Sequence, residues 1–123
     1  MLQTSGYMAA ARSTALPRDI EYKVFSNVTG QLKRRASDAA DFPALLQALT
    51  ENVNLWRTIA FDVMDADNGL PKQLRAQLFY LFEFTQAHTT KVMRREAGVE
   101  PLIEINSAIM QGLKGNLSGE ERP

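Results

Sequence analysis

Strong backbone breaks divide this chain. They fall at Pro17, Pro43, Asn68–Gly69–Pro71 and Gly98–Pro101, with further glycines from Gly112 onward. Proline lacks an amide hydrogen and clashes with the preceding helical turn, whereas glycine and asparagine tolerate left-handed backbone. Between the breaks, apolar residues recur at three- and four-residue spacing, and no segment sustains the alternation of a strand. The pattern predicts consecutive helices joined by short turns, which favour antiparallel neighbours. The fold class expected is all-α, a small antiparallel bundle of four to five helices.

The first main segment spans about Pro17 to Ala36. Ile20, Val24, Val28 and Leu32 recur every four residues, joined by Phe25. Pro17 suits a first helical turn. Asp19 and Glu21 lie near the positive end of that helix, and Lys33, Arg34 and Arg35 near the negative end. The second segment spans about Asp41 to Met64, with Asp41 as N-cap and Pro43 in the first turn. Leu45, Leu49, Val53, Trp56, Ala60 and Val63 form its stripe, widened by Leu46, Leu55, Ile59 and Phe61. A helix apolar over so much of its circumference belongs at the centre of a bundle.

The third segment spans about Pro71 to Ala97. Leu74, Leu78, Leu81, Phe82, Thr85 and Val92 share its face, flanked by Phe79 and Phe84, and Gly98 offers a C-terminal stop. The fourth is shorter, about Pro101 to Leu113, with Leu102, Ile105 and Ile109 on its face and Ile103 and Leu113 beside them. A weaker leading helix over about Gln3–Ala15 is also expected. The whole reads as one helical domain over residues 1–115, with residues 1–16 a loosely packed helix and residues 116–123 a flexible polar tail.

Composition narrows the function. Lys plus Arg and Asp plus Glu are both 14, so the formal charge is zero. A nucleic-acid-binding domain usually carries a basic excess. Cysteine is absent, which removes disulfides, thiolate nucleophiles and cysteine zinc sites. One histidine, His88, precludes a multi-histidine metal site. No catalytic set, cofactor site or metal site assembles, so the reading is non-enzymatic. Asp62, Asp65 and Asp67 cluster before the Asn68 turn without the spacing or downstream glutamate of an EF-hand; they read as a solvated acidic helix end. Lys33–Arg35 and Lys91–Arg95 complement helix dipoles and lack interleaved stacking aromatics. No apolar run approaches the roughly 20 residues that cross a bilayer. The "YMAAA" stretch lacks the pattern of a secretory signal. A cytoplasmic protein without membrane insertion is expected.

Asn52 sits one helical turn before Trp56, beside an apolar stripe. It either faces solvent or bridges to another helix. The apolar excess also has two readings. The last helix completes the core, or it leaves a groove that accepts a partner's helix. In "NGLPKQLRAQL", Asn68 and Gly69 permit positive φ and stop a helix. Leu70 packs across the turn, and Pro71 starts the next helix. Arg75 is expected to pair with Asp62, Asp65 or Asp67, the alternative being that it faces a partner.

Four pieces of this chain, taken in order, resemble the alphaproteobacterial flagellar biosynthesis regulator family FlaF. They are Tyr7 with "LPRDIE" (Leu16–Glu21), "LLQALTENVNLW" (Leu45–Trp56), "NGLPKQLRAQL" (Asn68–Leu78) and "LIEINSAIMQGL" (Leu102–Leu113). Ala48, Leu49, Asn52 and Trp56 fill the second family pattern, and Asn68, Leu70, Pro71, Leu74, Arg75 and Ala76 the third. Asp19 stands where glutamate is commoner and keeps the charge. The resemblance covers about Tyr7 to Leu113. It implies a cytoplasmic partner of flagellin that promotes its production and secretion in the manner of an export chaperone. An alternative is post-transcriptional regulation through flagellin mRNA or an FlbT-like protein. Candidate partner-binding residues are Asn52, Trp56, Arg75, Leu102, Ile105 and Ile109. Asp41, Asn68, Gly69, Leu70 and Pro71 are assigned structural roles.

Overall fold

The computed structural model describes residues 22–37 and 41–119, with side chains as far as Leu113. Four helices are described: α1 (Tyr22–Ala36), α2 (Phe42–Met64), α3 (Lys72–Met93) and α4 (Glu100–Gly119). The expected leading helix, Pro17 and the last residues of the tail lie outside the described residues. Helix α1 packs on α2 and α4, and α2 packs on α3. The fourth side of the bundle, between α3 and α4, makes far less contact.

The local signals act much as the sequence implies. Asp41 accepts a hydrogen bond from the Ala44 amide at 3.1 Å, and Pro43 sits in the first turn of α2. Gly69 has φ 94°, the left-handed conformation that lets the chain turn between α2 and α3. Asn68 keeps negative φ and works through its side chain. Its Nδ2 donates to the Asp62 main-chain oxygen at 3.0 Å and to Asp62 Oδ2 at 2.8 Å. Its Oδ1 accepts from the Leu70 amide at 3.0 Å, and Leu70 is buried in the core. Pro71 takes the position just before α3.

Three expectations change. Helix α3 stops at Met93, not near Ala97, and Gly98 is not its stop. Arg95 turns left-handed at φ 61° instead. The Glu96 amide bonds to Lys91 O at 2.8 Å and the Arg95 amide to Val92 O at 2.9 Å, which is a Schellman ending with arginine where glycine is usual. The Arg95 guanidinium lies 4.1 Å from the centroid of the Phe42 ring, so a cation–π contact holds the residue against its conformational cost. Helix α4 runs past Leu113 to Gly119, because an interior glycine costs only about 1 kcal/mol and does not by itself end a helix. Phe61, expected to widen the buried stripe of α2, is 66% exposed.

The core has two apolar clusters. One contains Phe25, Leu55, Trp56, Ile59, Val63, Leu70, Leu74, Leu78, Ile109 and Leu113. The other contains Leu32, Ala48, Leu49, Val92, Val99 and Leu102. A polar layer lies between them, to which each helix contributes a fully buried side chain: Thr29, Asn52, Thr85 and Asn106. Their common level follows from the register. Phe25 packs edge-on against Trp56 at 5.9 Å, so Thr29, four residues on, falls opposite Asn52, four residues back. Arg75 reaches Val63 O, so Thr85 and Asn52 fall opposite each other in the α2–α3 pair.

Within this layer Trp56 Nε1 donates to Asn106 Oδ1 at 2.9 Å, and Asn106 Nδ2 donates to Asn52 Oδ1 at 2.7 Å. Asn52 thus takes the bridging alternative and not the solvent-facing one. Asn106→Ala should cost about 2–4 kcal/mol, since it strands two buried polar groups and opens a cavity. Replacing Asn52 and Asn106 together by leucine should cost less, because it opens no cavity and strands only the Trp56 indole N–H, whereas Asn106→Ala strands that group and Asn52 Oδ1 together. Urea denaturation followed by Trp56 fluorescence measures both; equal losses in the two variants would contradict this account of the layer.

Candidate functional site

Weak contact between α3 and α4 leaves an open apolar groove along that side of the bundle. Leu74, Gln77, Leu78, Tyr80 and Leu81 of α3 line it with Ala108 and Ile109 of α4, around a volume of about 350 Å³. The sequence explains the opening. Asn106 holds α4 toward α2, and Ala108 is too small to fill the space left beside α3. Tyr80 is 63% exposed and stands at the rim, while Leu78 and Ile109 form the buried floor. Aromatic rings carry much of the contact area at protein interfaces, and Tyr in particular pairs an apolar body with a polar tip. A smaller depression of about 170 Å³, lined by Tyr22, Ser107, Met110 and Gln111, lies on the other flank of α4.

The six candidate partner residues are not brought together. Ile109 lines the groove. Ile105 is half-buried one turn away. Leu102 is fully buried in the second apolar cluster. Asn52 and Trp56 have no exposed surface at all and act between the helices. Arg75 sits in the α2–α3 corner. Its Nη1 donates to Val63 O at 3.4 Å and Asp65 O at 3.5 Å. The expectation that it pairs with a carboxylate of Asp62, Asp65 or Asp67 is corrected: its partners are main-chain carbonyls. The last carbonyls of a helix have no intrahelical donor and carry the negative end of the dipole, so they attract the cation.

Tyr80 and Asn106 were not singled out from sequence. For Asn106 the signal was present: Leu102, Asn106, Ile109 and Leu113 follow four-three-four spacing, which puts the asparagine in the buried seam. Tyr80 offers less, a lone aromatic off the buried stripe of α3. His88 is occupied structurally, with Nε2 at 2.8 Å from Gly98 O and its ring stacked on Phe84. Among the described residues, no three His, Cys, Asp or Glu side chains are placed to hold a metal. No described helix is long and apolar enough to cross a membrane.

The sequence pattern of the flagellar protein FlaF family matches residues 3–113. The chain belongs to the FlaF family. No curated protein and no solved structure matches it. Family membership makes it a flagellar protein, and the matched span takes in all of α1, α2 and α3, the corner between α2 and α3, and both walls of the groove.

Asp62 stands in the α2–α3 corner, held by Asn68. Burial pushes the Asp62 carboxyl above its ordinary value of 3.8; the Asn68 hydrogen bond opposes this and the Asp65 charge adds to it. A raised folded-state value means that the protonated form is favoured in the fold. Stability from this group is therefore present below the ordinary value and lost as pH rises through the folded one. Asp62→Asn, which keeps an acceptor for Asn68, should gain stability relative to the parent as pH rises through the carboxylate range. Urea midpoints at about pH 3, 5 and 7 test the sign; a variant that loses ground with rising pH would refute it.

Proposed function

We propose that this chain binds flagellin in the cytoplasm and promotes its production and secretion as an export chaperone. The groove between α3 and α4 is the observation that carries this reading. It is apolar and open, and its floor is set by helices locked elsewhere in the bundle. A partner helix can therefore lie along it without displacing α4. Export requires a chain that is unassembled, and amphipathic segments without their filament neighbours tend to aggregate. Covering one apolar face prevents this. A segment that orders on binding spends part of its interaction energy on that ordering, so affinity stays moderate and release remains feasible.

In this proposal Tyr80 and Ile109 touch flagellin, and Ile105 extends the contact by one turn. Arg75, Leu102, Asn52 and Trp56 act by holding the helices that shape the groove. Trp56→Ala is a poor reporter of binding, because losing a fully buried indole costs about 3–5 kcal/mol of stability. Tyr80→Asp is a better one, since an exposed position changes stability by about 0.5 kcal/mol or less.

Purified flagellin titrated onto nuclease-treated protein should bind the parent. Tyr80→Asp should lose tenfold or more in affinity, equivalent to about 1.4 kcal/mol, with an unchanged thermal melt. Undiminished capture by the folded variant would exclude this groove. Salt-steep binding to flagellin mRNA without flagellin binding would replace the chaperone reading with the regulatory one. Binding to an FlbT-like protein alone would do the same.

A further inference from the structure

The beginning of α1 and the groove share one stretch of α4. Tyr22, the first residue of α1, lines a depression with Ser107, Met110 and Gln111 on one flank of α4, and Ala108 and Ile109 line the groove on the other. One helix thickness, about 10 Å, separates the two flanks. Residues 1–21 therefore join the bundle at the height of the groove. Even wholly helical they would measure about 30 Å, against about 10 Å for the groove wall from Leu74 to Leu81. Their composition matches as well. No side chain lining the groove is charged, and from Met1 to Leu16 only Arg12 is. The FlaF family match begins at residue 3, so nearly all of this segment falls within the family pattern. The other end of the chain fits less well: α4 carries it past Leu113 to Gly119, away from the groove, and Glu120, Glu121 and Arg122 follow.

We propose that residues 3–15 occupy the α3–α4 groove of their own chain, with the side that carries Tyr7, Ala10, Ala11 and Thr14 against Leu78, Leu81 and Ile109. They hold the place of a partner helix, and flagellin enters the groove by displacing them; the second statement rests on the flagellin reading, the first does not. Tethering favours this occupant even where its fit is loose. A segment joined by a short linker is present at its site at roughly millimolar effective concentration. A free partner of equal intrinsic affinity must reach that concentration to compete. Flagellin affinity is then lowered in proportion to the fraction of time that the groove is free. The apolar floor stays covered when no client is bound, which removes it from the exposed apolar surface that promotes association.

The chain has no cysteine, so paired cysteines report proximity without background. Ala10→Cys, Ala11→Cys or Thr14→Cys is combined in the full chain with Ala108→Cys or Gln77→Cys on the groove walls, or with Gln111→Cys on the flank of α4 beside Tyr22. The last three positions are exposed. A segment that is merely tethered meets Gln111 at least as often as the groove, because Gln111 lies nearer the start of α1. A disulfide needs Cα atoms within about 7 Å. At least one groove pair should oxidise within the chain about tenfold faster than any Gln111 pair. The closed disulfide should weaken flagellin binding by about tenfold or more, and reduction should restore it. Groove pairs that all oxidise no faster than the Gln111 pairs overturn the proposal; flagellin capture that still responds to Tyr80→Asp would then leave the flagellin reading in place. Fast closure with unchanged flagellin binding keeps the segment in the groove and removes flagellin from it. Disulfides that form faster between chains than within them assign the groove to a second copy and overturn the proposal.

Discussion

The hydrogen bonds from Trp56 to Asn106 and from Asn106 to Asn52 are the interaction on which the arrangement of helices depends. All three side chains are fully buried. Polar groups removed from water cost free energy unless they find partners, and here each finds one on the other helix. An apolar α4 could slide or rotate by a turn with little penalty. An α4 carrying Asn106 cannot, because any other register strands the asparagine and the indole together. The layer is not fully satisfied, since Asn52 Nδ2, Thr29 Oγ1 and Thr85 Oγ1 have no hydrogen-bond partner. It therefore contributes more to choosing one register than to overall stability, in the way a single buried asparagine fixes the register of a coiled coil.

That choice of register also accounts for the groove. With α4 held toward α2 and packed on α1, the space beside α3 is left to small or rim-facing residues such as Ala108 and Tyr80. The two ends of α3 are fixed independently. At its start, Arg75 ties the chain to the last carbonyls of α2. At its finish, Arg95 lies on Phe42 at the start of α2. Helix α3 is thereby clamped to α2 at both ends and does not close over the groove. Helices α1, α2 and α3 thus pack in succession with α4 against α1, and the α3–α4 seam is the side left open.

Much of the scaffold was legible in the sequence because it depends on local chemistry. Asp41 caps its helix with its own side chain, Gly69 supplies positive φ, and Leu70 follows an asparagine that orients its amide. Each needs only near neighbours. Gly98 misled for the same reason. It is the conventional stop, but the contact that allows Arg95 to end α3 comes from Phe42, about fifty residues away. Arg75 also misled: nearby carboxylates look like natural partners, yet the free carbonyls of α2 lie closer to its guanidinium. Phe61 matched the apolar count of α2 but falls on the side that no other described helix covers, which only the packing reveals.

The sequence alone determined that this chain is helical, where α2 begins and the α2–α3 corner turns, and, through its four ordered motifs, that it resembles FlaF. These rest on periodicity, capping and turn residues, which act within a few positions of one another. Tertiary structure alone decided that Thr29, Asn52, Thr85 and Asn106 share one level, that Trp56 is an internal clamp and not a contact surface, and that Tyr80 stands over an open groove. Those outcomes depend on which faces of four helices meet. Their meeting is selected by the cost of burying unpaired polar groups across pairs of residues some fifty positions apart.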